Sequence, residues 1–316
     1  MQTLYPRTEA DLIRIFAVAN ASNLTLHWNY QARRAAISAP ASSPASSTKD
    51  STANTGLAFD ANTHLNQVLA LDATKQLIMT QPGVKLSQLN SIVQAHGLWL
   101  PIVPTLDGDP TIGDLIHINA VNDKFLQHDR IVHYVAAIDA VMADASLVRF
   151  STFGDGGDMV VATAKMSRLI PQLFEIATQF RNEIAAVLGA HPWRKSGYNL
   201  DIFDVSAQVV RLYNPNRSLN LAHLLVGSFG QLAFPKRITL RLESLPDDLT
   251  SASRVAMPTV SRSDGLATIR DAATGDCIAF SAPLQEAFGR VKQLFDPDNR
   301  LNPVGRSEER RGGKEC

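Results

Sequence analysis

The chain has 316 residues, of which 45% are hydrophobic, and can therefore bury a large core in one domain or two. Thirty Lys and Arg balance thirty Asp and Glu with no long run of one sign, so the charge excludes an extended nucleic-acid or anionic-membrane surface. Two cysteines exclude a disulfide framework and a four-cysteine iron–sulfur cluster within this chain. No long apolar run occurs, and Glu9 and Asp11 stand where a signal peptide needs apolar residues. We therefore expect a soluble, cytoplasmic protein without membrane insertion.

The N-terminal segment predicts a helix, a strand and a loop. Apolar residues at helical spacing between 8 and 21 follow Thr8, a candidate N-cap with Asp11 three residues on. The run LTLHW predicts a short strand. Residues 37–56 are rich in Ser, Ala, Thr and Pro, a composition that buries too little apolar surface to order itself, so we expect a mobile low-complexity loop.

From residue 67 onward, strands alternate with helices, which predicts an α+β fold. The predicted elements begin with strands at VLALD and KQLIMT, a helix over 85–96 closed by Gly97, and a turn and strand at TIGDLIHINA. Two strands joined by ADAS and a long helix over 165–188 follow. The segment HLLVGSFGQLAFPKRITLRLESLP predicts a strand, a glycine-rich turn and a second strand with alternating ITLRLE, and a helix over 283–295 comes last.

The last eleven residues differ from everything before them. RSEERRGGKEC, residues 306–316, carries seven charges and resembles the peptide translated from a common sequencing-adapter oligonucleotide. We expect a non-native tail that takes no part in the fold.

Five segments, in order, resemble the FAD-linked oxidases of the vanillyl-alcohol-oxidase type, a family that includes glycolate oxidase subunits, D-lactate dehydrogenases and 2-hydroxyglutarate dehydrogenases. The segments are residues 64–101 with QPGV and GLWLP, TIGDLIHINA at 111–120, RKSGYNLDIF at 194–203, LLVGSFGQLAF at 224–234 and LQEAFGRVKQLFDPDNRLNP at 284–303. The resemblance implies a PCMH-type FAD-binding fold of two subdomains, residues 1–150 and 151–305, with FAD bound non-covalently.

The resemblance also implies a set of cofactor-binding residues, whereas it assigns no catalytic residue and no metal ligand. These cofactor residues are Pro104, Thr105, Thr111, Ile112, Gly113, Asn119, Ala120, Gly227, Ser228, Gly230 and Leu232. A structural interpretation stays open beside the functional one. Residues 111–120 also fit a plain turn and strand, Pro82 and Gly83 fit a turn, and Tyr198 fits a packing role.

The phosphate-binding features depart from the family pattern. Asp114 replaces the second glycine of the TIGG pattern, where a carboxylate near pyrophosphate is unfavourable, so Asp114→Gly is expected to strengthen FAD binding. Residues 26–40, LHWNYQARRAAISAP, contain no glycine where the family has a glycine-rich loop, and four bulky residues would fill that space, namely His27, Trp28, Tyr30 and Gln31. Arg33 and Arg34 fit either a pyrophosphate contact or a solvated basic pair.

The family's substrate-binding cap domain is largely absent. Only 37 residues, 247–283, remain between the fourth and fifth segments, and they contain no histidine for a metal-assisted hydroxy-acid site. The eight histidines of the chain fit surface or core roles, with His128 and His133 as candidates beside the flavin.

Two functions of different class follow. The first is an FAD-dependent oxidoreductase that transfers a hydride from a small 2-hydroxy acid or similar substrate to the flavin. The alternative is a degenerate, cofactor-poor homologue that serves as a structural or regulatory subunit of a flavin or iron–sulfur oxidoreductase complex. The implied partners are a small-molecule substrate and an iron–sulfur or flavoprotein subunit.

Overall fold

The computed structural model describes residues 3–28, 56–102, 109–120, 130–152, 164–189, 197–203, 219–245, 268–270 and 277–303. Several sequence-based expectations lie outside these residues: the loop at 37–56 except Gly56, the Arg33 and Arg34 pair, Pro104 and Thr105, His128, and the tail at 306–316.

The described residues form twelve strands and seven α-helices, together with a π-helical turn at Ile184–Gly189 and 3₁₀ turns at Leu200–Phe203 and Leu221–Leu224. The strands are β1 (Thr3–Leu4), β2 (Thr25–Trp28), β3 (Gly56–Phe59), β4 (Val68–Asp72), β5 (Leu77–Thr80), β6 (Leu98–Trp99), β7 (Val135–Val141), β8 (Leu147–Ser151), β9 (Phe234–Arg241), β10 (Glu243–Ser244), β11 (Thr268–Arg270) and β12 (Cys277–Ala279). The helices are α1 (Glu9–Ala21), α2 (Leu86–Gln94), α3 (Ile112–His117), α4 (Ile131–Tyr134), α5 (Ala164–Gln179), α6 (Arg181–Glu183) and α7 (Ala282–Phe295).

Two sheets organise the fold. A parallel sheet has the strand order β1-β3-β2, and an antiparallel sheet of five strands has the order β4-β5-β9-β7-β8. In the larger sheet β9 pairs on both sides, with Ile238 opposite Thr80 of β5 and Ile138 of β7. The mixture of helices with these sheets confirms the α+β prediction.

Helix α1 covers the parallel sheet and begins where the sequence predicts. Thr8 accepts a hydrogen bond from the Asp11 N–H, and the Asp11 carboxylate accepts one from the Thr8 N–H, which is a complete capping box. Its apolar face packs into a small core in which the Phe16 and Phe59 rings lie 5.7 Å apart, edge to face.

An ion pair fastens α1 to the start of β9. Glu9 accepts two hydrogen bonds from the Arg237 guanidinium, at 2.6 and 2.8 Å, and lies 3.0 Å from Lys236 Nζ. Burial alone would raise the pKa of the Glu9 carboxyl, but the hydrogen bonds from Arg237 and Lys236 outweigh it and lower that pKa below its ordinary value of 4.5.

Three predicted elements differ in the structure. TIGDLIHINA contains helix α3 instead of a turn and strand, and Leu221–Leu224 is a 3₁₀ turn instead of a strand. The long helix predicted over 165–188 is interrupted: α5 ends at Gln179, and α6 and the π-helical turn follow. The π-helical turn still buries Ile184 and Leu188, so the predicted apolar stripe is kept although the helix is not continuous.

The division into subdomains at residue 150 stays a prediction. Strand β9 follows that boundary in the chain yet lies between β5 and β7, which precede it. Within the shortened cap segment, β11 and β12 form an antiparallel pair. Among the described residues, no helix has both the length and the apolar character needed to cross a membrane.

Candidate cofactor site

The glycine turn at residues 227–231, hereafter the 227–231 turn, lies on the C-terminal end of helix α3. The Gly227 N–H donates to the Ile116 carbonyl at 2.8 Å, and the Phe229 N–H donates to the His117 carbonyl at 3.3 Å. These contacts bring together two segments that are more than 100 residues apart in sequence. The second and fourth family-like segments therefore meet at one place in the fold.

The backbone of this region occupies the left-handed region at several residues. The φ angle is +78° at Gly227, +68° at Gly230 and +51° at Phe229. A Cβ atom on Gly227 would lie 3.2 Å from Asn119 Cβ, and one on Gly230 would lie 3.1 Å from His117 Cε1. Both glycines are thus required by the conformation and by close packing against the end of α3.

Asp114 closes the N-terminal end of α3. Its carboxylate accepts hydrogen bonds from the Thr111 hydroxyl at 2.8 Å and the Thr111 N–H at 3.1 Å, and a longer one from the Asn62 side-chain amide at 3.4 Å. The Asp114 N–H in turn donates to the Thr111 hydroxyl at 3.2 Å. A carboxylate in the first turn also complements the helix dipole. The sequence-based view of Asp114 as an unfavourable charge beside phosphate is therefore replaced by a capping role.

Gly113 is held by the first family-like segment. Its N–H donates to the Pro82 carbonyl at 2.7 Å, and an added Cβ would lie 2.9 Å from Pro82 Cβ. Gly83 is equally confined, since its Cβ would lie 2.3 Å from the Asn62 carbonyl oxygen. Close packing between backbones is the visible reason for both glycines.

Trp28 fills the space beside α3. The centroid of its ring lies 3.7 Å from the centroid of the His117 ring and 4.6 Å from that of the Phe234 ring, and both pairs are edge to face. The indole is almost fully buried and would lie 3.1 Å from a Cβ on Gly113. Burial lowers the pKa of His117 well below 6.5, so this imidazole is neutral at physiological pH. Trp28, a bulky residue of the glycine-free stretch, thus fills space beside α3, and its position in the family's phosphate-binding space stays a prediction.

The SGYN segment braces the 227–231 turn from another side. The Tyr198 hydroxyl donates to Gln231 Oε1 at 2.6 Å, and the Asn199 amide donates to the carbonyls of His223 and Val226 at 2.9 and 3.0 Å. Gln231, which replaces the family's usual threonine, thus has a buried partner. The packing interpretation of Tyr198 is consistent with this contact.

Sequence reasoning missed Asn220 and His223, which anchor the segment before the turn. Asn220 Oδ1 accepts the Ala222 N–H at 2.9 Å, and its Nδ2 donates to the Val135 carbonyl at 3.0 Å. His223 Nε2 lies 3.1 Å from the same carbonyl. Burial lowers the pKa of His223 to about 3 despite that hydrogen bond. The sequence signal was Asn220 itself, a preferred N-cap residue directly before the apolar residues Leu221 and Ala222.

The predicted cofactor residues that the structure describes fall into two adjoining groups, one on α3 and one on the turn. They are Thr111, Ile112, Gly113, Asn119 and Ala120 in the first group, and Gly227, Ser228, Gly230 and Leu232 in the second.

Asn119 is the member of this set that points to a ligand. It has φ of +48°, is buried, and its side-chain carbonyl has no hydrogen-bond partner among the described residues. A buried acceptor without a partner costs about 1–3 kcal/mol, which a bound group with a donor would recover. This acceptor therefore fits a ligand that carries a hydrogen-bond donor.

A comparison with known families matches the part of the chain that includes α3. Residues 2–151 match the family model described as an FAD binding domain. The match covers 150 of the 316 residues, and it supports FAD as the cofactor of this part of the chain. The match ends at β8, so it includes α3 with Asn119, and the 227–231 turn lies beyond it.

Curated relatives extend the similarity further along the chain. D-2-hydroxyglutarate dehydrogenase of Haemophilus influenzae is 25% identical over 246 residues, which is 77% of this chain and 22% of that protein. D-lactate dehydrogenase of Archaeoglobus fulgidus is 28% identical over 120 residues, covering 33% of this chain and 27% of that protein. A solved alkyldihydroxyacetonephosphate synthase superposes with a TM-score of 0.46 at 12% identity, over 78% of this chain and 32% of its own. The chain thus spans less than a third of the length of these relatives.

Proposed function

We propose that this protein is the flavin-binding part of an FAD-linked oxidoreductase that takes a hydride from a small 2-hydroxy acid or a similar substrate. The observation that carries the proposal is the contact of the 227–231 turn with α3, beside the Asn119 side-chain carbonyl, which has no partner in the described part of the chain. The similarity to D-2-hydroxyglutarate and D-lactate dehydrogenases supports the substrate class. When bound, FAD supplies the hydride acceptor.

The chain's own residues bind and orient the cofactor without a covalent link. Gly227 and Gly230 shape the turn that would lie along the ligand, since their left-handed backbone and close packing against Asn119 and His117 leave no room for a side chain. Asn119 accepts a hydrogen bond from the ligand, and the buried surroundings of Asn119 and Ser228 exclude water. The N–H groups of Gly113 and Gly227 are already donated within the protein, so these residues contribute shape instead of hydrogen bonds.

Substrate and electron transfer partners belong to the same proposal. A small-molecule substrate fits the relatives, and an iron–sulfur or flavoprotein subunit would receive the electrons, because this chain has too few cysteines for a four-cysteine cluster.

One observation favours the second candidate function, a cofactor-poor structural or regulatory subunit. Trp28 fills space beside α3, and the Gly113 and Gly227 N–H groups have protein acceptors, so fewer backbone donors face a phosphate than in a glycine-rich loop.

A reconstitution experiment separates the two functions. The purified protein is incubated with FAD, desalted and scanned in the visible range, where bound oxidised flavin absorbs in the blue. The loaded protein is then mixed with D-2-hydroxyglutarate or D-lactate and an artificial dye acceptor, with the L-enantiomers as controls. Retained flavin with enantiomer-selective dye reduction supports the oxidoreductase, whereas absence of retained flavin supports the structural subunit.

A variant pair tests the assignment of Asn119. Asn119→Ala removes the unpartnered carbonyl and is expected to weaken FAD binding about tenfold, since one hydrogen bond contributes about 0.5–1.5 kcal/mol. Asn23→Ala is the matched control, because Asn23 also has a left-handed backbone, with φ of +51°. Unlike Asn119, it is exposed to solvent and lies after helix α1. Equal FAD affinity of the two variants, measured by flavin fluorescence quenching, would show that Asn119 does not face the cofactor.

A further inference from the structure

A buried lysine lies behind the 227–231 turn. Lys292 projects from helix α7, and its ammonium donates to the Gln231 carbonyl at 2.7 Å, the Leu301 carbonyl at 2.9 Å and Asp296 Oδ2 at 2.5 Å. An ammonium group carries three N–H donors, and each of these contacts uses one. The side chain of Lys292 is only 5% exposed and that of Asp296 is fully buried.

This pair differs from an ordinary helix-surface ion pair. Exposed Lys and Asp four residues apart contribute little, whereas a buried ammonium is unfavourable unless every proton is accepted. Asp296 also accepts the backbone N–H groups of Arg300 at 2.9 Å and Leu301 at 2.7 Å. The carboxylate therefore closes the C-terminal turn after α7, and Lys292 joins that closed turn to Gln231.

The same C-terminal turn holds the 227–231 turn at a second point. The Asn302 side-chain amide donates to the Phe229 carbonyl at 2.7 Å. Its backbone N–H donates to the Leu26 carbonyl at 2.9 Å, which fixes the C-terminal turn on β2. The two carbonyls held by Asn302 and Lys292, those of Phe229 and Gln231, lie on either side of Gly230.

The residues between these anchors need external support. Phe229 has a side chain and yet φ of +51°, a conformation that costs free energy and persists where the surroundings impose it. Without the two anchors, Phe229 would relax toward commoner backbone angles and change the path of the turn.

We propose that Lys292 is a positioning residue for cofactor binding, which fixes the conformation of the 227–231 turn through the Gln231 carbonyl. The link from the turn to FAD rests on the proposed function, whereas the effect on the turn itself does not. Lys292 acts through the protein backbone and touches no reacting atom.

The test measures the local stability of the 227–231 turn in protein that carries no cofactor. Amide hydrogen exchange of cofactor-free protein reports the Gly227, Phe229 and Gln231 N–H groups, all of which are hydrogen-bonded within the protein. Lys292→Met is expected to accelerate exchange of these amides about tenfold beyond any change in global stability, because the turn opens locally. Lys165→Met removes the more exposed ion pair with Asp144 and serves as the matched control.

Asn302→Ala is the milder second variant, because it leaves the buried Lys292 and Asp296 pair intact. It is expected to accelerate exchange of the same amides to a smaller extent. If both variants change exchange at the turn only in proportion to global unfolding, Lys292 is a general stabilising residue and the inference is overturned. If the turn alone responds and FAD affinity falls about tenfold in Lys292→Met, the positioning role is established.

The wild-type protein separates the two proposals. Local acceleration at the turn in a protein whose wild type binds no FAD would establish the support of the turn by Lys292 and refute the proposed function. Tight FAD binding by the wild type with no local acceleration in either variant would support the proposed function and overturn the role of Lys292.

Discussion

Replacement of Asp114 by glycine restores the family's usual residue and tests the capping role. From the sequence alone the substitution is expected to strengthen FAD binding. The structure predicts a different main effect, because the Asp114 carboxylate accepts the hydroxyl and the N–H of Thr111 and lies fully buried. Removal of this side chain would leave the buried Thr111 N–H without the acceptor that it has in the wild type.

The expected loss of stability follows from these contacts. A buried donor left unsatisfied costs about 1–3 kcal/mol. Loss of a favourable charge at a helix N-terminus adds about 0.3–1 kcal/mol. The lower helix propensity of glycine compared with aspartate adds roughly a few tenths of a kcal/mol. Asp114→Gly should therefore lower the free energy of unfolding by about 3 kcal/mol. Since α3 carries Asn119 at its C-terminal end, FAD binding should weaken.

Urea unfolding followed by circular dichroism measures this loss, and a flavin titration follows the affinity. Asp11→Gly is the matched control, since Asp11 occupies the same position of an exposed capping box at α1. The exposed box should lose less stability than the buried one. A variant Asp114→Gly that is as stable as the wild type and binds FAD more tightly would refute the capping argument and restore the electrostatic one.

Three further outcomes are expected. Glu9→Gln should lower stability above pH 4.5 and approach the wild type in more acidic solution, because the lowered pKa of Glu9 stabilises the fold only while the carboxylate is ionised; urea unfolding at several pH values checks this. Between pH 6.5 and about 3 the unfolded chain protonates His223 and the folded chain does not, so stability falls on acidification, and His223→Gln should reduce that slope. Tyr198→Phe should cost about 1–2 kcal/mol by urea unfolding, since it removes the buried hydrogen bond to Gln231. Tyr134→Phe, which loses a longer and less buried hydrogen bond, should cost less, and equal losses would contradict the assignment.

Local signals in the sequence predicted local structure well where the deciding contacts are close in sequence. The Thr8 and Asp11 capping box correctly predicted the start of α1. Thr111 and Asp114 have the same spacing, yet the apolar residues that follow them suit a strand as well as a helix. A consistent use of the capping box would have predicted α3.

Hydrophobic periodicity does not reveal whether a short, fully buried segment is helix or strand. All four residues of the Leu221–Leu224 turn are buried, so no polar face marks its helical period, and the segment resembles a core strand. Likewise, Lys292 and Asp296 at a spacing of four indicate a surface pair in the sequence. Their burial depends on the fold of the C-terminal turn against Gln231, a contact between residues about 60 positions apart.

The cofactor role of the family-like segments stays a prediction, and no local pattern predicted their contacts. Gly227 lies close to Asn119 and Gly230 close to His117, whereas the contacts of Trp28 with His117 and of Tyr198 with Gln231 join distant segments. Such contacts depend on tertiary packing, which no local pattern encodes.

The position of β9 has a consequence for biosynthesis. Until the ribosome has released residue 241, β5 and β7 each present an unpaired edge that another nascent chain could pair with. Closure of the antiparallel sheet must therefore await a strand made more than 80 residues after β8, which predicts slow, largely post-translational folding and a need for chaperone protection. Expression of residues 2–151 alone would make these open edges permanent and should yield aggregates.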